Sequence, residues 1–444
     1  MSIKRAVFLK KVNILRRYKG EPDGIYRQLL LNQSLSPENL EVFNFNQFKC
    51  IFTRAFEQCD FYHRKYSEAG ITPSDIRSSD DIQKVPLLTR EEIKNNVEDM
   101  VCRDVKRKSI FKVGTGGSTG TPLRFYHEKA EPYLNISFRT LSWWGLNPED
   151  NVASVIRRAD TSVNRVKSLI WDWPKKRVFL NAMMISPKSM EEFIELAKKY
   201  DIQYIWGYEG GIYQLATYVH ENKISLPLKA VITTSAPLPK PHRLFISKVF
   251  KAQVFDQYGS CEIHFLAAEC QKHEGLHILS DLHRVEFVDD SDNNVPDGEY
   301  GDIVVTDFVN KSFPFIRYKN GDVGRKLLHT CSCGMPFPLM DAVKGRTSDM
   351  IVFSDGSCIA GDYLTTIFDA YADSVQAFQV FQKLDGTVIL RVVPTGIFQG
   401  DANIDAVFNG LKNLIGTRSN VLLERVSQIE HDHGKFRFIL REKE

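Results

Sequence analysis

The stretch KVGTGGSTGTPLRFY, residues 112–126, holds four glycines and four serine or threonine residues. Glycine-rich loops bind phosphate because their backbone N–H groups can approach an anion closely, and nearby hydroxyls add donors. A Walker loop would end in Gly-Lys-Ser/Thr, but Thr121 follows Gly120. A dinucleotide fingerprint would need glycine in place of Thr119 and an acid at a set distance after a strand. The pattern that fits is small-Gly-Gly-Ser/Thr-Thr-Gly-x-Pro, which can wrap a triphosphate; a mobile linker is the alternative.

Five further motifs follow this loop along the chain. They are TTSAPLP (233–239), FDQYGSCE (255–262), FIRYKNGD (315–322), KGRTSDMI (344–351) and HGKFRF (433–438). Their order and spacing resemble the adenylate-forming superfamily of acyl- and aryl-CoA ligases, luciferases and peptide-synthetase adenylation domains. Within it, the chain is most similar to the phenylacetate–CoA ligase-like family and its capsular-polysaccharide (CapK-like) branch. The segment 59–93 resembles that family too, so the resemblance spans nearly the whole chain.

The resemblance implies that a carboxylate attacks the α-phosphate of ATP, giving an acyl-adenylate and pyrophosphate. The transition state concentrates negative charge, so positioning and electrostatics dominate catalysis. Glu262 is expected to hold Mg²⁺, and Arg346 to reach the ribose or a phosphate. Lys435 is expected to bridge the attacking carboxylate and the adenylate. A lone lysine beside a glycine is usually solvated, so this role rests on the resemblance.

The same resemblance implies the nucleotide contacts. Asp322 is expected to bind both ribose hydroxyls, because one carboxylate can accept two hydrogen bonds. Asp256 is expected to meet the adenine amino group. The structural alternatives are a turn aspartate for Asp322 and a surface acid for Glu262. The other implied nucleotide-binding residues are Thr115, Ser118, Thr119, Gly120, Thr121, Ser235, Ala236, Pro237, Tyr258, Gly259, Ser260 and Cys261.

Two positions depart from the family pattern. Cys261 stands where threonine is usual, which removes one hydroxyl near the α-phosphate, and Ser260 is a candidate to replace it. Ser348 stands where the hinge usually has aspartate or lysine, with Asp349 next to it. Both leave room for a slower enzyme or an altered second step, while the charged residues of the first step are present.

A second group of residues has metal-ligand chemistry. ECQKHEGLHI (269–278) and CSCGMP (331–336) supply Cys270, His277, Cys331 and Cys333, a four-ligand set for structural zinc. The phenylacetate-ligase relatives are similar here. The Cys-x-Cys spacing is less diagnostic than Cys-x-x-Cys, His273 is a rival ligand, and buried free cysteines are the alternative.

The acyl-substrate pocket is less defined by the sequence. The segment YIWGYEGGIYQLA predicts a pocket wall from Trp206, Tyr208 and Gly210, with Tyr258 opposite. Arg157 and Arg158 follow a predicted strand; they could receive an acidic or sugar-like substrate, or be a solvated pair.

The elements that position these residues alternate in type. Residues 1–110 predict a mainly helical lead-in, with Thr89 as a helix N-cap. Strands and helices then alternate to about residue 345, which predicts an α/β domain with ligands at strand ends. A hairpin around Asp385-Gly386, a helix and a strand predict a small α+β domain. The expected organisation is the two-domain adenylate-forming fold: a large AMP-binding domain (1–345), a hinge (346–350) and a small mobile domain (351–444).

The 444 residues have an ordinary globular composition, and the net charge of +3 is too small to indicate a nucleic-acid partner. The first twenty residues carry seven basic and no acidic side chains, without the apolar core of a signal peptide. This predicts a solvated helix face, with a peripheral membrane or polysaccharide-assembly contact as the alternative. The absence of a secretory signal predicts a cytoplasmic protein, membrane-associated if that contact exists, with reduced cysteines.

The predicted function is an AMP-forming ligase that passes an acyl group to an amine acceptor in capsular or surface polysaccharide biosynthesis. The paired arginines, the unusual hinge residue and the basic N-terminus favour an amine. An acyl- or aryl-CoA ligase that uses coenzyme A is the main alternative. A non-catalytic nucleotide-binding homologue and an NAD-linked oxidoreductase are the rivals from other classes.

Overall fold

The structure is a computed structural model of the 444-residue chain. It describes residues 3–19, 24–114, 123–130, 132–157, 172–182, 185–238, 240–343, 350–354, 358–360, 375–394, 401–427 and 439–442. Two compact units divide the chain: a large one from residues 1–113 and 125–345, and a small one that contains residues 346–444. Each unit has its own hydrophobic core.

The lead-in is helical, as its sequence predicts. Its helices are α1 (Ile3–Lys19), α2 (Ile25–Asn32), α3 (Pro37–Gln58), α4 (Asp60–Glu68) and α5 (Arg90–Asn95). Short 3₁₀ turns lie at Pro73–Asp75, Ser79–Lys84 and Arg107–Ser109. Thr89 caps α5 by accepting the backbone N–H of Glu92 at 3.2 Å, and the Glu92 carboxylate returns a bond to the Thr89 N–H at 2.9 Å. This reciprocal pair is the capping box that fixes where the helix begins.

Helix α1 is the basic N-terminal segment, and its apolar residues pack inward. Phe8 and Val12 are buried in the core of the large unit, where Phe8 meets the ring of Phe138. On its polar side, Lys4 donates to Asn151 and Lys11 donates to the Trp173 carbonyl, both at 2.8 Å. The apolar stripe of this helix is therefore used within the fold. Among the described residues, no helix combines the length and apolar character that a membrane crossing requires.

The described residues up to 340 include thirteen strands. They are β1 (Ile110–Gly114), β2 (Arg124–Glu128), β3 (Val152–Ile156), β4 (Arg177–Asn181), β5 (Tyr204–Tyr208), β6 (Ala230–Thr234), β7 (Gln253–Tyr258), β8 (Ala267–Glu269), β9 (Leu276–Ile278), β10 (His283–Val288), β11 (Gly301–Asp307), β12 (Tyr318–Gly324) and β13 (Leu339–Met340). The helices among them are α6 (Tyr133–Trp143), α7 (Pro187–Lys199), α8 (Glu209–Glu221) and α9 (Lys240–Phe250).

The central sheet has eight strands in the order β13-β9-β8-β7-β6-β5-β3-β4. Its β4-β3-β5-β6-β7 part is parallel, and β7-β8-β9-β13 is antiparallel. Helices α7, α8 and α9 connect the parallel strands, so the carboxyl ends of β3, β5, β6 and β7 meet at one edge. In such sheets that edge is where ligands bind. Strands β10, β11 and β12 form a separate antiparallel sheet.

The small unit is an α+β fold. Its strands are β14 (Met350–Val352), β15 (Cys358–Ala360), β16 (Val375–Gln382), β17 (Val388–Pro394), β18 (Val421–Arg425) and β19 (Ile439–Arg441), with helix α10 (Asp401–Ile415). Strands β16 and β17 form the predicted hairpin, and Gly386 in its turn has φ of 86°. A residue with a Cβ rarely adopts that conformation, so glycine suits the turn. Apolar residues of α10 pack on the four-stranded sheet β18-β17-β16-β19.

Candidate functional site

Part of the predicted site lies outside the described residues. This part comprises Thr115, Ser118, Thr119, Gly120, Thr121, Arg158, Arg346, Ser348, Asp349 and Lys435. The other predicted residues belong to the large unit, and their geometry follows.

The segment Ser235-Ala236-Pro237 follows the carboxyl end of β6. Ser235 has φ of 76°, an uncommon value for a residue with a side chain. Strand β7 runs parallel to β6, and Thr233 is paired with Asp256. The two motifs predicted to surround the adenine therefore lie side by side at the carboxyl edge of the sheet.

Asp256 is buried on β7. Its Oδ1 accepts hydrogen bonds from the Thr233 hydroxyl at 3.3 Å and from the Gln257 backbone N–H at 3.0 Å. Burial, followed by the negative charge of Glu269, raises the pKa of Asp256 to about 7. The carboxyl group therefore loses its proton near neutral pH. The protonated form can donate a hydrogen bond, whereas the ionised form only accepts.

Glu269 contributes to the raised pKa of Asp256, and its own carboxylate is stabilised as an anion. Arg243 donates to both of its carboxylate oxygens, at 2.7 and 2.9 Å. The backbone N–H of Asp256 donates to the same carboxylate at 2.8 Å. Burial alone would raise the pKa of Glu269, but hydrogen bonds from His273 and Arg243 keep that pKa below its ordinary value. His273, the rival metal ligand, is thus bound to Glu269.

Tyr258 and Asp322, predicted from separate motifs, are in direct contact. The Tyr258 hydroxyl donates to Asp322 Oδ2 at 2.8 Å and accepts from Asn320 Nδ2 at 2.7 Å. Asn320 Oδ1 in turn accepts the Asp322 backbone N–H at 3.0 Å. Gly321 lies between them where the register of β12 against β11 is shifted, and its φ of 89° is a conformation that a residue with a Cβ rarely adopts. The Asp322 carboxylate on β12 is thus oriented by the Tyr258 hydroxyl at the end of β7, and Asn320 holds that hydroxyl in place.

Glu262 is buried beside two residues that the sequence analysis did not assign to the site. The Tyr318 hydroxyl donates to Glu262 Oε1 at 3.1 Å, and an Arg90 guanidinium nitrogen lies 3.7 Å from the same oxygen. Arg90 is the first residue of α5, directly after the Thr89 cap. The Arg90 guanidinium therefore faces the Glu262 carboxylate from the start of the helix. The capping signal at Thr89 predicts where helix α5 begins, but no sequence pattern predicts that Arg90 contacts Glu262.

The turn between Tyr258 and Glu262 is tightly packed. A Cβ on Gly259 would lie 2.0 Å from the His264 carbonyl oxygen, so only glycine fits there. The Ser260 N–H donates to the Ile263 carbonyl at 2.8 Å, and the Ser260 hydroxyl accepts the Ile263 N–H at 3.1 Å. Cys261 is exposed, and its carbonyl lies 3.0 Å from His127 Nε2. The turn therefore presents the Cys261 side chain outward while anchoring its backbone.

The predicted pocket residues lie at the same sheet edge. Trp206 on β5 donates from its indole nitrogen to Gln257 Oε1 at 3.3 Å. Gly210 has open space where a side chain would project. Arg157 is exposed at the carboxyl end of β3, the strand next to β5, and Tyr208 ends β5. The structure thus places these four on strands next to those that carry the residues predicted to bind the nucleotide.

Cys270, His277, Cys331 and Cys333 converge on one point, with all four ligand atoms within 4.8 Å of one another. The sulfurs of Cys270 and Cys331 are 3.6 Å apart, and the Cys333 sulfur is 3.4 Å from His277 Nε2. With ordinary zinc–ligand bond lengths, a tetrahedral site would separate two sulfurs by about 3.8 Å, and sulfur from nitrogen by about 3.6 Å. The two separations are therefore close to those of a tetrahedral metal site.

The surroundings of this cluster also suit a metal. His277 Nδ1 lies 3.3 Å from the Phe337 carbonyl, which leaves Nε2 to point at the cysteines. Backbone N–H groups of Lys272 and Met335 donate to the sulfurs of Cys270 and Cys333, at 3.4 and 3.5 Å. Such donors stabilise thiolates. The cluster ties strand β9 to the loop that precedes β13.

Comparison with known proteins agrees with this geometry. The CapK C-terminal domain family matches residues 351–442. Protein CapK of Staphylococcus aureus is 22% identical over 454 residues, which span 99% of this chain and 95% of that protein. The phenylacetate-coenzyme A ligase of Thermus thermophilus is 22% identical over 366 residues, covering 80% of this chain and 81% of the ligase.

A solved structure shares the fold along most of the chain. The crystal structure of 2-hydroxyisobutyryl-CoA ligase with 2-HIB-AMP and CoA superposes with a TM-score of 0.67 at 20% identity, covering 93% of this chain and 91% of that chain. The chain is thus similar along most of its length to Protein CapK and to the phenylacetate-coenzyme A ligases, and it shares the fold of an adenylate-forming CoA ligase. The predicted resemblance, the mixed α/β fold with a C-terminal domain and the prediction of an AMP-forming ligase are thereby confirmed.

Proposed function

We propose that this adenylate-forming ligase activates a carboxylic acid with ATP as an acyl-adenylate and then transfers the acyl group to the thiol of coenzyme A. The first half-reaction, formation of the acyl-adenylate, is supported by four residues that lie together at one edge of the sheet: Asp256, Tyr258, Glu262 and Asp322. These residues come from two motifs, and their polar groups are already fixed by hydrogen bonds. Groups fixed in advance need no reorganisation when charge develops during the reaction.

Each residue has a role that its surroundings support. The Asp322 carboxylate, oriented by Tyr258, would accept hydrogen bonds from the ribose hydroxyls. The Asp256 carboxylate, on β7, would accept a hydrogen bond from the adenine amino group. The Glu262 carboxylate offers the oxygen that Mg²⁺ prefers, together with phosphate oxygens of ATP. When bound there, Mg²⁺ would neutralise part of the phosphate charge that opposes attack by a carboxylate.

The choice of acceptor rests on the relatives. Several curated relatives are phenylacetate-coenzyme A ligases, and a solved structure of the same fold holds an acyl-adenylate analogue with CoA. These support coenzyme A. The amine acceptor and the role in surface polysaccharide assembly remain the second candidate, because Protein CapK is matched along nearly its whole length. Arg157, exposed beside the site, supports an acidic or sugar-like substrate in that case.

The acceptor screen that separates these candidates measures AMP release with aryl acids, fatty acids and uronic acids, each in the presence of CoA or of amines. A thioester formed from one of these acids and CoA supports the first candidate. Amide formed only with an amine acceptor would replace it with the second. Inactivity with every acid, despite ATP binding, would instead indicate a non-catalytic homologue.

We also infer that Cys270, His277, Cys331 and Cys333 hold one structural zinc ion. The ligand distances and the two N–H···S hydrogen bonds support this inference. Four protein ligands leave no open position for a substrate, so the ion would stabilise the end of the sheet.

A peripheral contact with a membrane remains a further proposal. Because Phe8 and Val12 are packed in the core, such a contact would use the basic side chains of α1.

A further inference from the structure

Two cysteines that belong neither to the metal cluster nor to the nucleotide motifs are in contact in the large unit. Cys59 lies between α3 and α4, and Cys102 lies after α5, 43 residues further along the chain. Both are free cysteines, their sulfur atoms are 2.9 Å apart, and each residue is 1% exposed. The proposed ligase reaction uses neither thiol.

Backbone hydrogen bonds hold the two segments together beside this pair. The Arg103 N–H donates to the Gln58 carbonyl at 2.8 Å, and the Phe61 N–H donates to the Asp99 carbonyl at 3.1 Å. These bonds flank the cysteines and fix the separation of the two chain segments. A disulfide bond is about 2.05 Å long, so the sulfurs would need to approach by only about 0.9 Å to form one.

The two thiols differ in acidity. The Cys102 thiol donates to the Lys311 carbonyl at 3.3 Å, so the hydrogen bond between the cysteines runs from Cys59 to Cys102. Arg54 Nε donates to the same carbonyl at 2.9 Å, which places its positive charge near Cys102. The hydrogen bond from Cys59 and the charge of Arg54 lower the pKa of Cys102 although burial opposes them, whereas that hydrogen bond and burial raise the pKa of Cys59. Because the thiolate is the reactive form, Cys102 is the nucleophile of the pair.

The pair lies just beneath the protein surface. Asp60 and Arg103, which follow the two cysteines in the chain, are exposed. Arg54 forms an ion pair with Asp104 at 2.8 Å, and the two side chains are 31% and 50% exposed. Ion pairs this exposed contribute little to stability, so this one can open. A molecule as small as hydrogen peroxide can then reach Cys102.

We propose that Cys59 and Cys102 form a redox modification site, at which hydrogen peroxide converts the two thiols into a disulfide. The sulfur of Cys102 attacks one peroxide oxygen, the O–O bond breaks, and the other oxygen leaves as water with the thiol proton. The sulfur of Cys59 then attacks the sulfenic acid on Cys102, which forms the S–S bond and releases a second water. The two sulfurs together lose two electrons, and the peroxide gains them. A thiol reductant reverses the modification by thiol–disulfide exchange.

The disulfide would close a loop that contains α5. Arg90, the first residue of that helix, faces Glu262. A cross-link between residues 43 positions apart lowers the conformational entropy of the unfolded chain and so stabilises the folded one. The oxidised large unit is therefore more stable than the reduced one, and the segment that brings Arg90 to Glu262 is tied to the end of α3.

Peptide mapping of the full-length protein after treatment with hydrogen peroxide tests this inference. Trypsin separates the two cysteines into peptides 55–64 and 95–103, each with one cysteine. The expected product is a linked pair of these peptides that is lighter by two hydrogen atoms and that dithiothreitol separates. Its absence, or a disulfide between Cys270 and Cys331 alone, overturns the inference. This map needs no variant, so it decides even where a substitution prevents folding.

Substitutions test the roles of the two thiols. In Cys59→Ser, peroxide is expected to leave a sulfenic acid on Cys102 that dimedone labels, because the second thiol is missing. In Cys102→Ser, Cys59 is expected to stay unlabelled, because its thiol is the less acidic one. Labelling of Cys59 in place of Cys102 overturns the assigned order of attack.

Thermal melts test the consequence of the modification. Peroxide is expected to raise the melting temperature of the wild type by about 5–10 °C more than that of Cys102→Ser, and dithiothreitol is expected to reverse the difference. Cys50→Ser, which removes an exposed cysteine of α3, is the matched control and is expected to respond like the wild type. An equal response of the wild type and Cys102→Ser overturns the stabilising role.

Discussion

Replacing Asp256 with asparagine tests the electrostatic environment at the end of β7. Asparagine has nearly the shape of aspartate and keeps an oxygen that can accept from Thr233 and Gln257. Asparagine cannot ionise, however. In the wild-type protein, burial and the charge of Glu269 raise the pKa of Asp256 to about 7. The variant therefore separates the packing of this side chain from its charge.

The magnitude follows from the two pKa values. In the unfolded chain an aspartate ionises near its ordinary value of 3.8, whereas Asp256 in the folded protein ionises near 7. Between these values the folded state binds one more proton, so this group's contribution to stability is complete below pH 3.8 and is lost as the pH rises to 7. Each pH unit corresponds to about 1.36 kcal/mol. Over the interval the loss approaches about 4 kcal/mol, and relaxation of the site reduces it.

The Asp256→Asn variant has no carboxyl group at this position, so its stability does not fall through this ionisation as the pH rises. Its free energy of unfolding, relative to wild type, is therefore expected to increase by about 2 kcal/mol between pH 5 and pH 7 and then to level off. Urea unfolding monitored by tryptophan fluorescence measures it, because all five tryptophans precede residue 345 and so report on the large unit.

The control is Asp80→Asn, which changes an exposed aspartate of the same unit and is expected to give a pH-independent difference. A pH-independent difference in Asp256→Asn as well would show that Asp256 ionises normally, and the reasoning from burial and Glu269 would be wrong.

Three other substitutions test the remaining roles. Lys435→Ala is expected to slow ATP–pyrophosphate exchange by about 10²–10³-fold, through loss of one preorganised cationic donor, while ATP affinity stays near wild type. An unchanged exchange rate would remove Lys435 from the mechanism. Asp322→Asn should show the opposite behaviour, with ATP binding weakened about 10–100-fold in a calorimetric titration; an unaltered Kd would argue against ribose binding. The double variant Cys331→Ser/Cys333→Ser is expected to lose about one zinc per chain in elemental analysis and to melt at a lower temperature. Cys50→Ser, at an exposed cysteine, should do neither, and a metal-free but fully stable wild-type preparation would contradict the zinc site.

Local sequence signals predicted most of the elements. The segments AVITTSA and AQVFDQYG appear as β6 (Ala230–Thr234) and β7 (Gln253–Tyr258), because short β-branched and aromatic runs favour buried parallel strands. The Asp385-Gly386 signal located the hairpin of the small unit, and Thr89 located the start of α5. In each case the information lies within a few residues of the element that it specifies.

The site could be predicted only where motifs repeat a known pattern. The four ligands of the metal cluster were named from their types, and the structure brings them together. Arg90 and Tyr318 were missed, since each reaches Glu262 through tertiary packing between distant segments. No local spacing specifies those contacts. The roles assigned to Lys435, Arg346 and the glycine-rich loop remain predictions.

The short strand β13 has a consequence for solubility. It consists of two residues, Leu339 and Met340, and forms one outer edge of the eight-stranded sheet by pairing with β9. Exposed edge strands offer unpaired N–H and C=O groups to other chains, and proteins commonly shield them. The Cys and His cluster fastens the loop that delivers β13 to β9. Loss of the proposed zinc ion is therefore expected to uncover the β9 edge first, so that the metal-stripped protein self-associates through backbone pairing before the edge with the predicted nucleotide-binding residues is disturbed.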